Sequence, residues 1–174
     1  MDRASSIHIP EAIRNIANSA DRRLAIEFFI FFSRFEYALK RAGYAKGNAK
    51  GVDPDWDEFG RKWNSKFHHG CVGELKACWD YFWSNPPKKQ VLLETRLDWV
   101  PALPSKPDDS PNLGWLLTMI RRVRNNLFHG GKFQQPVPDA SRDWELLEKS
   151  SAVLSECLKY DSDLKERFDE SLDA

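Results

Sequence analysis

Apolar residues recur at helical spacing along almost the whole chain, and this periodicity is what most restricts its fold. The clearest example is residues 21–42, where Asp21 is a suitable N-cap and Gly43 follows the last turn. No segment alternates between apolar and polar residues as a half-buried strand does. The sequence therefore predicts an all-α fold, a helical bundle of roughly five helices that forms one domain over residues 1–174.

Glycine and proline divide the rest of the chain into further helices and loops. Asp53 and Pro54 are interpreted as the cap and the first residue of a second helix, because proline is favoured at the first helical position. Glycine- or proline-rich loops are predicted at residues 44–53, 100–111 and 132–140. Further helices are predicted at residues 73–83, at 90–98 as a short one, at 112–129, at 141–160, and as a short acidic helix to residue 170.

Charge and cysteine content limit the classes of function. The 26 lysines and arginines balance the 26 aspartates and glutamates, so a polyanion could bind only at a local basic cluster. Three cysteines without a C-x-x-C pair favour a reducing, cytoplasmic compartment. No apolar run approaches the roughly 20 residues that span a bilayer, so no membrane partner is expected. His68, His69 and Cys71 lack a second ligand pair, so neither a metal nor another cofactor is predicted.

The most informative segment is residues 119–132, with the sequence Met-Ile-Arg-Arg-Val-Arg-Asn-Asn-Leu-Phe-His-Gly-Gly-Lys. On a helix, Arg124 falls within the apolar stripe that contains Ile120 and Val123. An unpaired guanidinium would be costly there, so Arg124 needs a carboxylate. Glu36 lies in the same way within the apolar face of the first helix. We therefore predict that Glu36 pairs with Arg124 when the two helices pack.

A polar arc adjoins that stripe and holds the other candidate site residues. Asn125 and His129 are four residues apart and are therefore neighbours on a helix. His129 lies in the last predicted turn, where the helix dipole favours its protonated form, which suits acid–base work. Arg121 is a supporting residue, and Arg122 and Lys132 are candidate substrate-binding cations. A phosphate group fits such a cluster.

The spacing Arg124-Asn-Asn-Leu-Phe-His129 resembles the signature of the HEPN superfamily: an arginine, a polar residue that is often asparagine, and a histidine after four to six intervening residues. The resemblance implies a helical bundle that homodimerises and brings two copies of the motif into one cleft. It also implies an endoribonuclease that needs no metal and leaves 2′,3′-cyclic phosphate and 5′-hydroxyl ends. His129 would then act as general acid and base. Arg124 would stabilise charge on the phosphoryl oxygens, and Asn125 would orient His129 or the phosphate.

The resemblance further implies a role as a toxin or an antiphage defence effector, with RNA (in some members tRNA) as substrate and an antitoxin or defence complex as partner. One toxin subgroup has a tyrosine two residues after the histidine. Gly131 occupies that position here, so regulation tied to that tyrosine is not supported.

Two other interpretations stay open at this point. The first is a non-catalytic module of the same superfamily that binds RNA, a nucleotide or a protein. The second is a helical adaptor in which the pair of Glu36 and Arg124 is only architecture. Lys88 and Lys89, which follow two prolines, could touch a nucleic-acid backbone, although lysine pairs of this kind are commonly just solvated surface.

Overall fold

The structure, a computed structural model, describes residues 21–100, 112–128 and 140–170. These residues form six helices and two small antiparallel hairpins. In chain order the elements are α1 (Asp21–Arg41), β1 (Ala45–Asn48), β2 (Gly51–Pro54), α2 (Trp56–Gly70), α3 (Gly73–Ser84), β3 (Lys89–Leu93), β4 (Arg96–Val100), α4 (Asn112–Phe128), α5 (Ala140–Cys157) and α6 (Ser162–Asp169).

The prediction of a helical fold is confirmed, but its stricter form, an all-α chain, is wrong in two places. Residues 44–53, predicted as a loop, contain most of the hairpin β1–β2, in which Ala45 lies opposite Pro54. Residues 90–98, predicted as a short helix, belong to the hairpin β3–β4, in which Lys89 lies opposite Val100. The chain reverses after Leu93, where Glu94 has a positive φ of 55°. Two short strands that pair only with each other leave little periodic signal for a sequence-based prediction.

The predicted start of α2 is also wrong by a few residues. Pro54 is the last residue of β2, and the N-cap is Asp55, whose carboxylate accepts a hydrogen bond from the Glu58 backbone N–H at 3.1 Å. The helices predicted at 73–83, 112–129, 141–160 and up to 170 correspond to α3, α4, α5 and α6, with small differences at their ends. No helix in residues 21–100, 112–128 or 140–170 is long and apolar enough to cross a membrane.

A single cluster of buried aromatic and aliphatic side chains joins the helices. At its centre, Trp56 of α2 stacks on Phe35 of α1, with ring centroids 5.4 Å apart and planes 12° apart. Phe32 contacts the same indole, also at 5.4 Å. From α4, Ile120 and Val123 are among the buried residues, as the apolar stripe of that helix predicts. The packing of α1, α2 and α4 therefore fixes the helix that carries the Arg-Asn motif.

Helices α2 and α4 approach each other closely at a pair of glycines. A Cβ built on Gly60 would lie 2.8 Å from the Cα and 3.1 Å from the backbone nitrogen of Gly114. These atoms belong to the backbone, so no side-chain rotation could relieve such a contact. The absence of side chains at Gly60 and Gly114 therefore sets how deeply α4 sits against α2.

The opposite side of α1 is tied to the C-terminal helix. The Arg34 guanidinium donates hydrogen bonds to the backbone carbonyls of Phe168, in the last turn of α6, and of Glu170, just after that helix. The Phe168 ring meets Phe31 edge-on, with centroids 5.3 Å apart. Helix α1 is therefore held on one side by the core and on another by α6, which limits its movement relative to α4.

Candidate functional site

Glu36 and Arg124 lie together where α1 meets α4, as the sequence predicts. Arg124 Nη2 is 3.8 Å from Glu36 Oε2, and the two side chains are 33% and 26% exposed, respectively. The pair is therefore only partly shielded from water, although both residues stand in the apolar stripes of their helices. A guanidinium in this position is held by protein contacts and still reaches the surface.

Trp56 fixes the carboxylate of this pair, and sequence reasoning did not identify it. The Trp56 indole N–H donates to Glu36 Oε1 at 3.3 Å, so each carboxylate oxygen faces a different partner. Trp56 is itself buried between Phe32 and Phe35. A buried indole needs an acceptor for its N–H, and this requirement is the signal that could have linked Trp56 to Glu36.

Two further contacts orient the Arg124 guanidinium. Its central carbon lies 5.5 Å from the centroid of the Phe32 ring, at a distance typical of a cation–π contact. Its Nη1 donates to Asn125 Oδ1 at 3.0 Å. Arg124 and Asn125, both predicted site residues, are thus joined directly, and Asn125 is exposed. A guanidinium fixed in this way needs little reorganisation before it binds an anionic oxygen.

The other arginines of α4 take two different positions. Arg121, three residues before Arg124 and therefore on the same side of the helix, is exposed. Arg122 packs against Met119, with its Nη1 3.7 Å from Met119 Sδ, and burial lowers the pKa of its guanidinium. The supporting role of Arg121 stays a prediction, whereas Arg122 is partly buried and does not join the Glu36–Arg124 pair.

His129 and Lys132, the remaining predicted site residues, lie outside the described residues, since the description of α4 ends at Phe128. The roles of these two residues therefore stay predictions from the sequence. Among the described residues, no group of three or more histidine, cysteine or acidic side chains could hold a metal ion.

Asn126 joins the motif helix to the hairpin β3–β4, a contact that sequence reasoning did not predict. Its Nδ2 donates to the Lys88 carbonyl at 2.9 Å. Nearby, Arg142 Nη2 of α5 donates to the Pro86 carbonyl at 3.0 Å. Two helices thus hold the turn that leads into β3. These partners are 38 and 56 residues apart in the chain, so no local pattern indicates the contacts.

Comparisons with known proteins identify no relative of this chain. No protein-family model matches the chain, and no curated protein or solved structure matches it at a significant level. The resemblance to the HEPN superfamily therefore depends on the Arg124–His129 spacing and on the helical fold that surrounds it.

Replacing Arg124 with alanine is expected to destabilise the protein more than replacing His129. In the Arg124→Ala variant, the indole N–H of Trp56 is the remaining hydrogen-bond donor to the half-buried Glu36 carboxylate among the described residues. We expect a cost of about 1–2 kcal/mol, between the values for exposed and for fully buried ion pairs. Thermal melts of the two variants check this, with Glu36→Gln as a matched control that removes the same pair. Equal melting temperatures for Arg124→Ala and His129→Ala would contradict a stabilising role for the pair.

Proposed function

We propose that this protein is a metal-independent endoribonuclease of the HEPN type, with Arg124, Asn125 and His129 as its catalytic residues. The observation that carries the proposal is the joined pair of Arg124 and Asn125 on α4, which Glu36 and Phe32 hold at the protein surface. An arginine on an ordinary solvated helix face is not usually held in place by other side chains, so the fixed guanidinium distinguishes this motif from such a face. Its position within the motif spacing, five residues before His129, supports a role in chemistry.

The reaction that these residue types support is transfer of the RNA phosphodiester to the neighbouring 2′-hydroxyl. The 2′-oxygen forms a bond to phosphorus and gives up its proton to a base, while the bond from phosphorus to the 5′-oxygen breaks and that oxygen takes up a proton. His129 serves these proton transfers, because imidazole is the side chain best suited to them near neutral pH. Arg124 stabilises the negative charge that builds on the phosphoryl oxygens.

We include homodimerisation in the proposal, since the resemblance implies that two motifs share one cleft. An exposed apolar stripe on α1 supports it: Ile26, Ile30 and Tyr37 are 43%, 58% and 51% exposed and lie on one side of the helix. This stripe runs beside Glu36 on the same helix. Exposed apolar side chains grouped on one face of a helix are a common feature of protein–protein interfaces.

The biological role in the proposal follows from analogy with the superfamily alone. It is that of a toxin or an antiphage defence effector, which acts on RNA such as tRNA and is controlled by an antitoxin or by a defence complex. Arg122 and Lys132 belong to the proposal as residues that bind substrate outside the reacting phosphate. Arg121 adds a second positive charge on the same side of α4 as Arg124, which favours binding of a phosphate there.

A second candidate is a non-catalytic module of the same superfamily that binds RNA, a nucleotide or a protein. The observation that favours it is the contact between Glu36 and Arg124, because the carboxylate occupies part of the guanidinium that a reacting phosphate would use. This candidate predicts that the protein retains RNA without cutting it, and that Arg124→Ala abolishes the retention.

The test is incubation of cellular RNA with the purified protein in EDTA. We expect discrete fragments, and light scattering on the same sample should give about twice the chain mass of 20.2 kDa. The His129→Ala protein, prepared in the same way, controls for contaminating nucleases. Intact RNA that stays bound would favour the non-catalytic module, and fragments that form equally with the variant would contradict the proposed catalytic residues.

A further inference from the structure

The exposed part of α4 lies between two fixed flanks. Arg124 contacts Glu36 of α1, whereas Asn126 contacts the Lys88 carbonyl before β3. Arg124 and Asn126 are two positions apart in the sequence, so they point about 200° apart around the axis of α4, and the two contacts lie on nearly opposite sides of the helix. The arc between them carries Arg121 and Asn125, which are both exposed. Helix α1 therefore borders this arc on one side and the base of the hairpin β3–β4 borders it on the other.

The base of the hairpin is cationic and firmly placed. Lys88 and Lys89 are exposed, and the turn before them is held by the hydrogen bonds from Asn126 and Arg142. This anchoring distinguishes the two lysines from the usual solvated pair, because their backbone stays beside α4. On β4, the nearby carboxylate of Asp98 is paired with Arg96 at 3.5 Å.

Because the net charge of the whole chain is zero, an anion would be attracted only to a local group of cations such as this one. The chain has equal numbers of basic and acidic residues, so its average surface does not attract a polyanion. Arg121 lies on the exposed arc of α4, and Lys88 and Lys89 lie at the hairpin base that borders this arc, so three exposed cations share this part of the surface; together they are called the positive strip. The strip is suited to successive phosphates of one nucleic-acid strand, which lysine binds as a point charge.

We propose that Lys88 and Lys89 bind the phosphate backbone of an RNA strand that crosses the exposed arc of α4, so that the hairpin β3–β4 forms one wall of the substrate groove. The inference rests on the proposed function and adds to it a binding element outside the motif. Asn126 then has a positioning role, since it holds the hairpin base against α4. The exposed leucines of the hairpin, Leu92, Leu93 and Leu97, lie towards its tip and take no part in the strip.

The salt dependence of RNA binding tests this wall directly. A labelled single-stranded RNA oligonucleotide is titrated with the His129→Ala protein, in which cleavage does not interfere, over a range of salt concentrations. The same titration is then made with the Lys88→Ala/Lys89→Ala double variant in that background. Each phosphate contact on a single strand contributes about 0.7 to the slope of log affinity against log salt, so we expect the slope to become shallower by about 1.4.

A matched control removes the same charge elsewhere. Lys159 and Lys165 are also exposed and lie before and within α6, so the Lys159→Ala/Lys165→Ala variant should leave the slope unchanged. An unchanged slope and affinity in the Lys88→Ala/Lys89→Ala protein would overturn the inference. If the protein with His129 intact cleaves RNA in that case, the proposed function stands without this wall. If the protein neither binds nor cleaves RNA, both proposals fail.

Discussion

The His129→Ala variant is expected to cleave RNA about 10²–10⁴-fold more slowly than the unaltered protein, since general acid–base catalysis by one side chain contributes about this much. The effect should fall on the turnover rate, because the proposal gives His129 a part in proton transfer and leaves the phosphate contacts to arginine and lysine side chains. Single-turnover cleavage of an RNA oligonucleotide, measured together with its binding affinity, separates the two effects.

His68 provides the matched control for this measurement. It is an exposed histidine near the end of α2, and its replacement by alanine changes the same chemical group outside the motif. We expect His68→Ala to cleave RNA at the unaltered rate. A His129→Ala protein that keeps full activity, or a His68→Ala protein that loses as much, would contradict the assignment of His129.

The Gly60→Ala variant is expected to lower the free energy of unfolding by about 1–3 kcal/mol, as overpacked substitutions in a core do. The added methyl would meet the backbone of Gly114 at 2.8 Å, so α2 and α4 would have to move apart. In a chain of this size each kcal/mol lowers Tm by about 2–4 °C. Because α4 carries Arg124, we also expect some loss of RNA binding or cleavage in the folded variant.

Gly70→Ala is the control for this change, since Gly70 is the last residue of the same helix and a Cβ there would meet nothing within 4 Å. Alanine favours helical structure more than glycine does, so this variant should melt at the same temperature or slightly higher. Thermal unfolding of both variants by circular dichroism makes the comparison. Equal melting temperatures for Gly60→Ala and Gly70→Ala would show that α2 and α4 are not constrained at the glycine pair.

The sequence was sufficient to predict most of the helices and the pair of Glu36 and Arg124, because both depend on local periodicity. A charged residue within an apolar stripe needs a partner, and each of the two helices offered one such residue. The pairing followed from the cost of leaving either charge alone, and the structure confirms it at 3.8 Å. The extent to which the Arg124 side chain stays exposed, about a third, could not be predicted from the sequence, because it depends on how the helices cross.

The hairpins and the polar contacts that position the site could not be predicted in the same way. The strands β3 and β4 have five residues each and pair only with each other, so they have no extended pattern. The contacts from Trp56 to Glu36 and from Asn126 to Lys88 join residues that are brought together only by the fold. They explain why Arg124 is fixed and why a cationic turn lies against α4, and both are properties of three-dimensional packing.

The central claim is that Arg124, Asn125 and His129 cleave RNA through its own 2′-hydroxyl without a metal ion. The chemistry of the product ends tests this claim most directly. An RNA oligonucleotide is cut by the purified protein in EDTA, and mass spectrometry identifies both new ends. A second oligonucleotide has a single 2′-deoxy sugar at the cleaved position. The claim predicts 2′,3′-cyclic phosphate and 5′-hydroxyl ends with the first substrate and no cut at that position in the second. Products with 5′-phosphate ends, cleavage at the 2′-deoxy position, or activity that returns only when magnesium is added would contradict it.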